Sequence, residues 1–196
     1  MNYLGHALLG MNDAELITGN LIADHVKGRL ALEQYPEGIR KGILLHRKID
    51  SYTDTHPASQ RAKLWFRQDY RLYAGPIVDC LYDHFLANDP KYFASEKALL
   101  AFTEDVYEKA AANEKYFPPA FAQYFQHMRQ YNWLYNYRSM GGMKKSLEGL
   151  GRRAKLMPPT DMAYTTFIGH YYQLAQCYYE FMDDVYNFVK IELTEI

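Results

Sequence analysis

Apolar residues recur every three and four positions along nearly the whole chain, while alternation with a period of two is nearly absent beyond four residues. A face that repeats every 3.6 residues is buried as a helix, and one that repeats every two as a strand, so sheet-based folds are excluded. Leu4, Ala7, Leu8 and Met11 carry the helical repeat at the start, and Leu16, Gly19, Leu21 and Ile22 follow with small residues in the gaps. Pro36 opens a helix at the tolerated first-turn position, and Ile39, Ile43, Leu44 and Ile49 line it up to a break at Thr55-His56-Pro57. A second break, Ala74-Gly75-Pro76, opens PIVDCLYDHFLA, which ends at Asn88-Asp89-Pro90. Beyond it the spacing predicts a helix over KALLAFTEDVYEKAAA, closed near Pro118-Pro119, and helices over 119–137 and 160–192. Gly141, Gly142, Gly149, Gly151 and Pro158-Pro159 mark short helices and turns between those two. The expectation is an all-α single domain, 1–196, of seven to nine helices.

A chain of 196 residues is of one-domain size and buries about 70% of its unfolded surface, so it needs no disulfide scaffold. Cys80 and Cys177 lie in apolar or aromatic surroundings outside any CxxC and read as reduced core thiols. The start MNYLGHALLGMNDAEL lacks a basic n-region and is interrupted by Gly5, His6, Gly10 and Asn12, a poor signal peptide. No stretch approaches the roughly 18 uninterrupted apolar residues of a membrane span. A cytoplasmic protein with no membrane partner is expected. The net charge of −1 gives no global basic field, so no nucleic-acid partner is expected.

Chemistry-bearing side chains concentrate where they are most expensive to place. Five of the seven histidines, His6, His25, His46, His56 and His84, fall in the first 84 positions. His46 and Asp50 are four apart and share a helix face; Asp79 and Asp83 are again four apart, with His84 next. Asp79 follows Ile77-Val78, Asp83 sits between Leu81 and Phe85, His6 interrupts Leu4–Leu8, and Asp24 ends Gly19-Asn20-Leu21-Ile22-Ala23. Carboxylates in an apolar helix are costly to bury unless paired or bound to a cation. Each group alone has an ordinary explanation: a hydrogen-bonded core histidine, a surface i,i+4 pair, an arginine-paired carboxylate. Together they are the pattern by which helical bundles hold divalent metal. Nitrogen and carboxylate donors without thiolate suit Mn²⁺, Fe²⁺ or Mg²⁺ better than structural zinc. His56, before Pro57, reads as a helix cap; His25, His127 and His170 are weaker candidates.

Charge is unevenly spread. Positions 27–71 hold ten basic residues against five acidic, positions 138–155 hold six against Glu148 alone, and 180–196 is acidic. Two basic segments in a neutral protein attract an acidic partner or a phosphate. P-loop, GxGxxG, HExxH and GxSxG signatures are absent, so nucleotide-motor, dinucleotide and acyl-enzyme chemistries lack support.

Four ordered blocks, MNYLGHALLG, GNLIADHVKG, YPEGIRKGILLHRKIDSYTDTHP and IVDCLYDHFLA, resemble the acyl carrier protein phosphodiesterase family, a divergent relative of the HD-domain metal-dependent phosphohydrolases. NWLYNYRSMGGM and the chain length are also similar. The resemblance implies an HD-domain-like helical fold and Mn²⁺-dependent hydrolysis of the phosphodiester joining 4′-phosphopantetheine to the serine of acyl carrier protein. The matching polar positions are His6, Asp24, His46, Asp50, Asp79, Asp83 and His84. Some members carry a second His two residues after the first, where this chain has Leu8.

On that basis His46, Asp50, Asp83 and His84 are expected as the inner metal ligands, with His6, Asp24 and Asp79 completing or orienting the set. Asp24, His46, Asp50 and Asp83 are the expected catalytic positions. Arg47 and Lys48, beside a proposed ligand, are expected to hold the phosphate. Basic segment 27–71 is expected to steer the acidic carrier protein, and the Tyr-rich wall to accept the pantetheine arm. Three other readings compete. A nucleotide or small phosphate ester in the same site separates by substrate assay. A di-iron oxidase calls for Glu-x-x-His pairs, which the proposed ligand segments lack. A non-enzymatic module binding an acidic partner predicts no metal.

Overall fold

The computed structural model describes residues 1–195; the Arg29 side chain and Ile196 lie outside the described part. No strand occurs among the described residues. Twelve α-helices run in the order α1 Tyr3–Leu9, α2 Ala14–Ile22, α3 Arg29–Leu32, α4 Glu37–Thr55, α5 Pro57–Tyr70, α6 Ala74–Ala87, α7 Glu96–Ala111, α8 Pro119–Gln130, α9 Trp133–Asn136, α10 Met140–Arg153, α11 Asp161–Gly169 and α12 Tyr171–Glu195. Three are shorter than two full turns, and the nine longer ones match the expected all-helical count. One core cluster runs from Met1, ahead of α1, and Leu4 within it to Val185 and Val189 in α12.

The helix boundaries follow side-chain chemistry. His56 ends α4, and its Nδ1 accepts the Ala58 N–H at 3.2 Å, capping α5, whose first residue is Pro57. Its Nε2 faces Asp184 at 3.1 Å, which fits the cap expected there. The glycine-rich stretch corrects the sequence expectation. Instead of short helices and turns, Met140–Arg153 is one helix of 14 residues. The Ser139 hydroxyl caps it by accepting the Gly142 N–H at 2.9 Å, and Met143 and Leu147 are buried on one face. Gly142 serves packing here, because a Cβ there would fall 1.8 Å from the Asn136 carbonyl oxygen. Two expected long helices are instead divided: Asn132, with φ of 39°, separates α8 from α9, and His170 separates α11 from α12.

Two contacts at the start of the chain set the geometry that follows. Helices α2 and α4 cross backbone to backbone at Gly19 and Gly42. A Cβ on Gly19 would lie 2.2 Å from the Ile39 carbonyl oxygen, and one on Gly42 2.5 Å from that of Leu16. Helix α1 docks on α6 through Asp83, which is fully buried and accepts the N–H groups of Leu4 at 2.7 Å, Gly5 at 3.0 Å and Asn2 at 3.3 Å. These are first-turn donors that no helical carbonyl can satisfy. Beside them Asn2 donates its Nδ2–H to the Cys80 sulfur at 3.1 Å. Cys80 and Cys177 are both free and buried.

Candidate metal centre

The close α2–α4 crossing brings Asn20 against His46, and the docking of α1 brings His6 onto the same residue. Asn20 anchors both imidazoles. Its amide Nδ2 donates to the Leu16 carbonyl at 3.0 Å, which leaves Oδ1 as an acceptor facing His6 Nδ1 at 3.2 Å. Its backbone carbonyl lies 2.8 Å from His46 Nδ1. Both Nδ1 atoms must therefore carry hydrogen and donate. The rings stack with centroids 3.9 Å apart and planes 17° from parallel, and both Nε2 atoms face carboxylates. His6 Nε2 lies 3.1 Å from Asp50 Oδ1, while His46 Nε2 lies 3.1 Å from Asp50 Oδ2 and 3.4 Å from Asp24 Oδ1.

The electrostatics of this group are unbalanced. Burial lowers the His46 imidazole, but the hydrogen bonds to Asp24 and Asp50 overcome it and hold the group at about 9. Burial, reinforced by the charge of His46, lowers His6 to about 4 against the pull of Asp50. Burial works to raise Asp50, yet the two histidines and the Met1 ammonium hold it below the usual carboxylate range. Asp24 is lowered chiefly by its hydrogen bond from His46. The two imidazoles are thus pushed in opposite directions, and both Nε2 atoms share the Asp50 carboxylate at 3.1 Å. A carboxylate shared by two imidazole nitrogens is an arrangement that protons or a metal cation can satisfy. Donor atoms from His6, His46 and Asp50 lie within 4.8 Å of one another. Nitrogen–oxygen donors with fixed outer nitrogens fit a divalent ion.

The other expected positions separate. Asp24 stands at the edge of the cluster in the 3₁₀ turn Ala23–His25, its side chain 70% exposed. Asp79 meets the cluster only through the Met1 ammonium, 3.0 Å from Asp79 and 3.9 Å from Asp50. Asp83 is a correction: it caps α1, and burial pushes its carboxyl up to about 7 against the three N–H donors and the ammonium. His84 is a second correction. Its Nδ1 lies 2.7 Å from the Tyr137 carbonyl and its Nε2 3.1 Å from the Tyr171 hydroxyl, among the rings of Phe85 and Phe167. Asp83 and His84 thus serve different partners, the start of α1 on one side and Tyr137 with Tyr171 on the other. Arg47 and Lys48 are turned elsewhere too. Arg47 donates to the Val26 carbonyl at 2.8 Å, and Lys48 pairs with Glu192 on α12. His25 packs on Phe121, His127 on Tyr131 and His170 on Trp65, all apart from the cluster. Asn20 was the position that charge-based reading missed; a lone amide in the apolar run Gly19–Ala23 was its one signal.

Fold and cluster together define an all-helical protein with a buried imidazole–carboxylate pair suited to a cation. The profile of the acyl carrier protein phosphodiesterase family matches residues 1–185. Relatives named acyl carrier protein phosphodiesterase, from Salmonella paratyphi A (strain ATCC 9150 / SARB42), Enterobacter sp. (strain 638) and Salmonella agona (strain SL483), are each 30% identical over 181 residues, covering 92% of this chain and 93% of theirs. No solved structure gives a significant match. The chain belongs to the acyl carrier protein phosphodiesterase family. No helix among the described residues is long and apolar enough to cross a membrane.

Proposed function

We propose that this protein hydrolyses the phosphodiester linking 4′-phosphopantetheine to the serine of holo-acyl carrier protein, releasing apo-carrier protein and 4′-phosphopantetheine, with Mn²⁺ as cofactor and Mg²⁺ or Fe²⁺ as substitutes. The observation that carries the metal requirement is the pair of imidazoles locked through Nδ1 on Asn20, with both Nε2 atoms aimed at carboxylates. His6, His46 and Asp50 would hold the ion, with Asp24 at its open edge. A divalent ion bound there supplies Lewis-acid stabilisation of phosphoryl oxygens and a water of lowered pKa.

The chain's own residues do the rest. Asn20 holds Nδ1 of both histidines, so both Nε2 atoms are aimed at the ion's position, and His46 gives up its Nε2 proton to bind. Asp50 bridges the two rings and cancels charge that would otherwise separate them. Asp24, ionised and open to solvent, accepts the hydrogen bond of an attacking water and sets its direction. Arg153, over the Tyr124 ring at 5.4 Å, is one cation on this side of the molecule, and burial and its charge both lower His25, the neighbour of Asp24.

Mass spectrometry of purified holo-acyl carrier protein after incubation with the protein and Mn²⁺ tests the reading, beside a His46→Ala/Asp50→Ala double variant. Conversion to the apo form, abolished by chelator and by the double variant, is the expected result. Metal binding without conversion would keep the site but remove the carrier protein. Absence of both would overturn the whole reading.

A further inference from the structure

Beside the cluster, a cavity of about 590 Å³ opens between the start of α1 and helices α8, α9 and α10. That lies within the range of sites built for small organic ligands, about 300–1,000 Å³. Tyr3, Tyr124 and Trp133 form one side as a continuous aromatic wall. The Tyr3 and Tyr124 rings lie 5.9 Å apart, and Trp133 meets Tyr124 edge-on at 4.8 Å. Lys145, Arg152 and Arg153 supply positive charge from α10. The Arg153 guanidinium lies 5.4 Å above the Tyr124 ring, joining the two sides.

These three cations lack the partners that others on this protein have. Lys48, Arg61, Lys63, Lys91 and Arg138 each form an ion pair. Among the described residues none of Lys145, Arg152 and Arg153 forms one, although Glu148 also lines the cavity. Converging positive charge on a concave, partly apolar wall focuses a field that an anion would neutralise. Tyr3 ties this wall to the cluster, three residues before His6 on the same short helix. Burial pushes its phenol up to about 12, with Arg153 opposing and Asp24 adding to the rise. One tyrosine thus lines the cavity and feels charge from both Arg153 and Asp24.

We infer that this cavity receives the non-protein arm of the substrate, Arg153 taking its phosphate at the cluster end and the Tyr124–Trp133 wall taking the uncharged, amide-bearing chain. The assignment rests on the reaction proposed above, and corrects Arg47 and Lys48 as the phosphate-holding pair. An aromatic wall with cations also suits a nucleotide, whose base would stack there, so the test includes one.

Calorimetric titration of 4′-phosphopantetheine into the metal-free Asp50→Ala protein isolates the cavity from metal and turnover. Two changes are added to that background. Arg153→Gln removes the charge. Gly149→Leu fills the space; its Cβ would meet only Arg152 Nη2, at 3.6 Å, so the helix accepts it. Binding by Asp50→Ala is expected, weakened at least about tenfold by either addition, with AMP at least about tenfold weaker than 4′-phosphopantetheine. In otherwise wild-type protein, Gly149→Leu should raise KM for holo-carrier protein about tenfold and change kcat less than about threefold. No binding by Asp50→Ala, equal binding in all three proteins, or tighter AMP would overturn the inference. Conversion by the wild type with KM unmoved by Gly149→Leu would sink the cavity assignment and leave the reaction standing. Variant-sensitive binding without conversion would do the reverse.

Discussion

Asn20 decides whether two histidines become a ligand pair. Its side chain and its own carbonyl hold the two Nδ1 atoms. Asn20→Ala removes the hold on His6 and keeps that on His46, so metal affinity should fall about 10- to 100-fold with little change in helix content. Fluorescence or calorimetric metal titration beside circular dichroism checks it; unchanged affinity would remove Asn20 from the site. The proton on His46 gives a second prediction. Its folded value of about 9 lies above the ordinary 6.5, so a metal taking Nε2 must displace that proton. Metal binding between pH 7 and 8 should release about one proton, and apparent affinity should rise with pH and level off above about 9. Titration in buffers of different ionisation enthalpy counts the proton. In the metal-free protein the His46 contribution to stability is complete below 6.5 and is lost as pH rises through about 9. That of His6, lowered to about 4, is complete above 6.5 and lost as pH falls through 4. The pair's joint contribution therefore peaks near pH 6.5, which denaturant midpoints across pH would reveal.

At the level of helices, the site depends on two backbones meeting without side chains between them. Gly19→Ala must displace the Ile39 carbonyl or separate α2 from α4, at a cost of about 3 kcal/mol, and carries Asn20 away from His46. Gly141→Ala, with nothing within 4 Å of the added carbon, should stabilise α10 by about 0.5–1 kcal/mol. Thermal melts of the two variants separate glycine as contact from glycine as mere composition. The same distinction explains what was legible beforehand. The Thr55-His56-Pro57 break and the shared face of His46 and Asp50 were readable because local spacing alone fixes them. The continuous α10 was not, since its glycines look like turns until Asn136 is seen against Gly142. Asp83 resembled a ligand because a buried carboxylate needs a partner. Sequence spacing cannot show that the partner is a helix N-terminus nearly 80 positions earlier.

Over the whole molecule, the two basic segments turn out to differ. Lys48 and Arg61, from the 27–71 stretch, pair with Glu192 and Glu180 on α12, and Lys91 with Asp183. The acidic end of the chain thus neutralises part of the surface expected to steer a carrier protein. The α10 face keeps its charge, with Lys145, Arg152 and Arg153 unpaired among the described residues. Reversing Lys145 and Arg152 to Glu should weaken carrier-protein binding about tenfold or more and flatten its salt dependence, whereas Arg61→Ala should change either little. Binding measured between low and physiological ionic strength distinguishes the two faces.

The thiol sealed under the first helix is a built-in clock. Burial pushes Cys80 up to about 12, and Asn2 covers its sulfur, so an alkylating reagent reaches it only while that helix is lifted. In a Cys177→Ser background, the labelling rate at excess reagent would report how often the first helix opens. Because His6 rides on the same helix, an ion gripped by His6 should slow the clock. Occupancy of the centre would then be readable as a half-life, with no substrate in the tube.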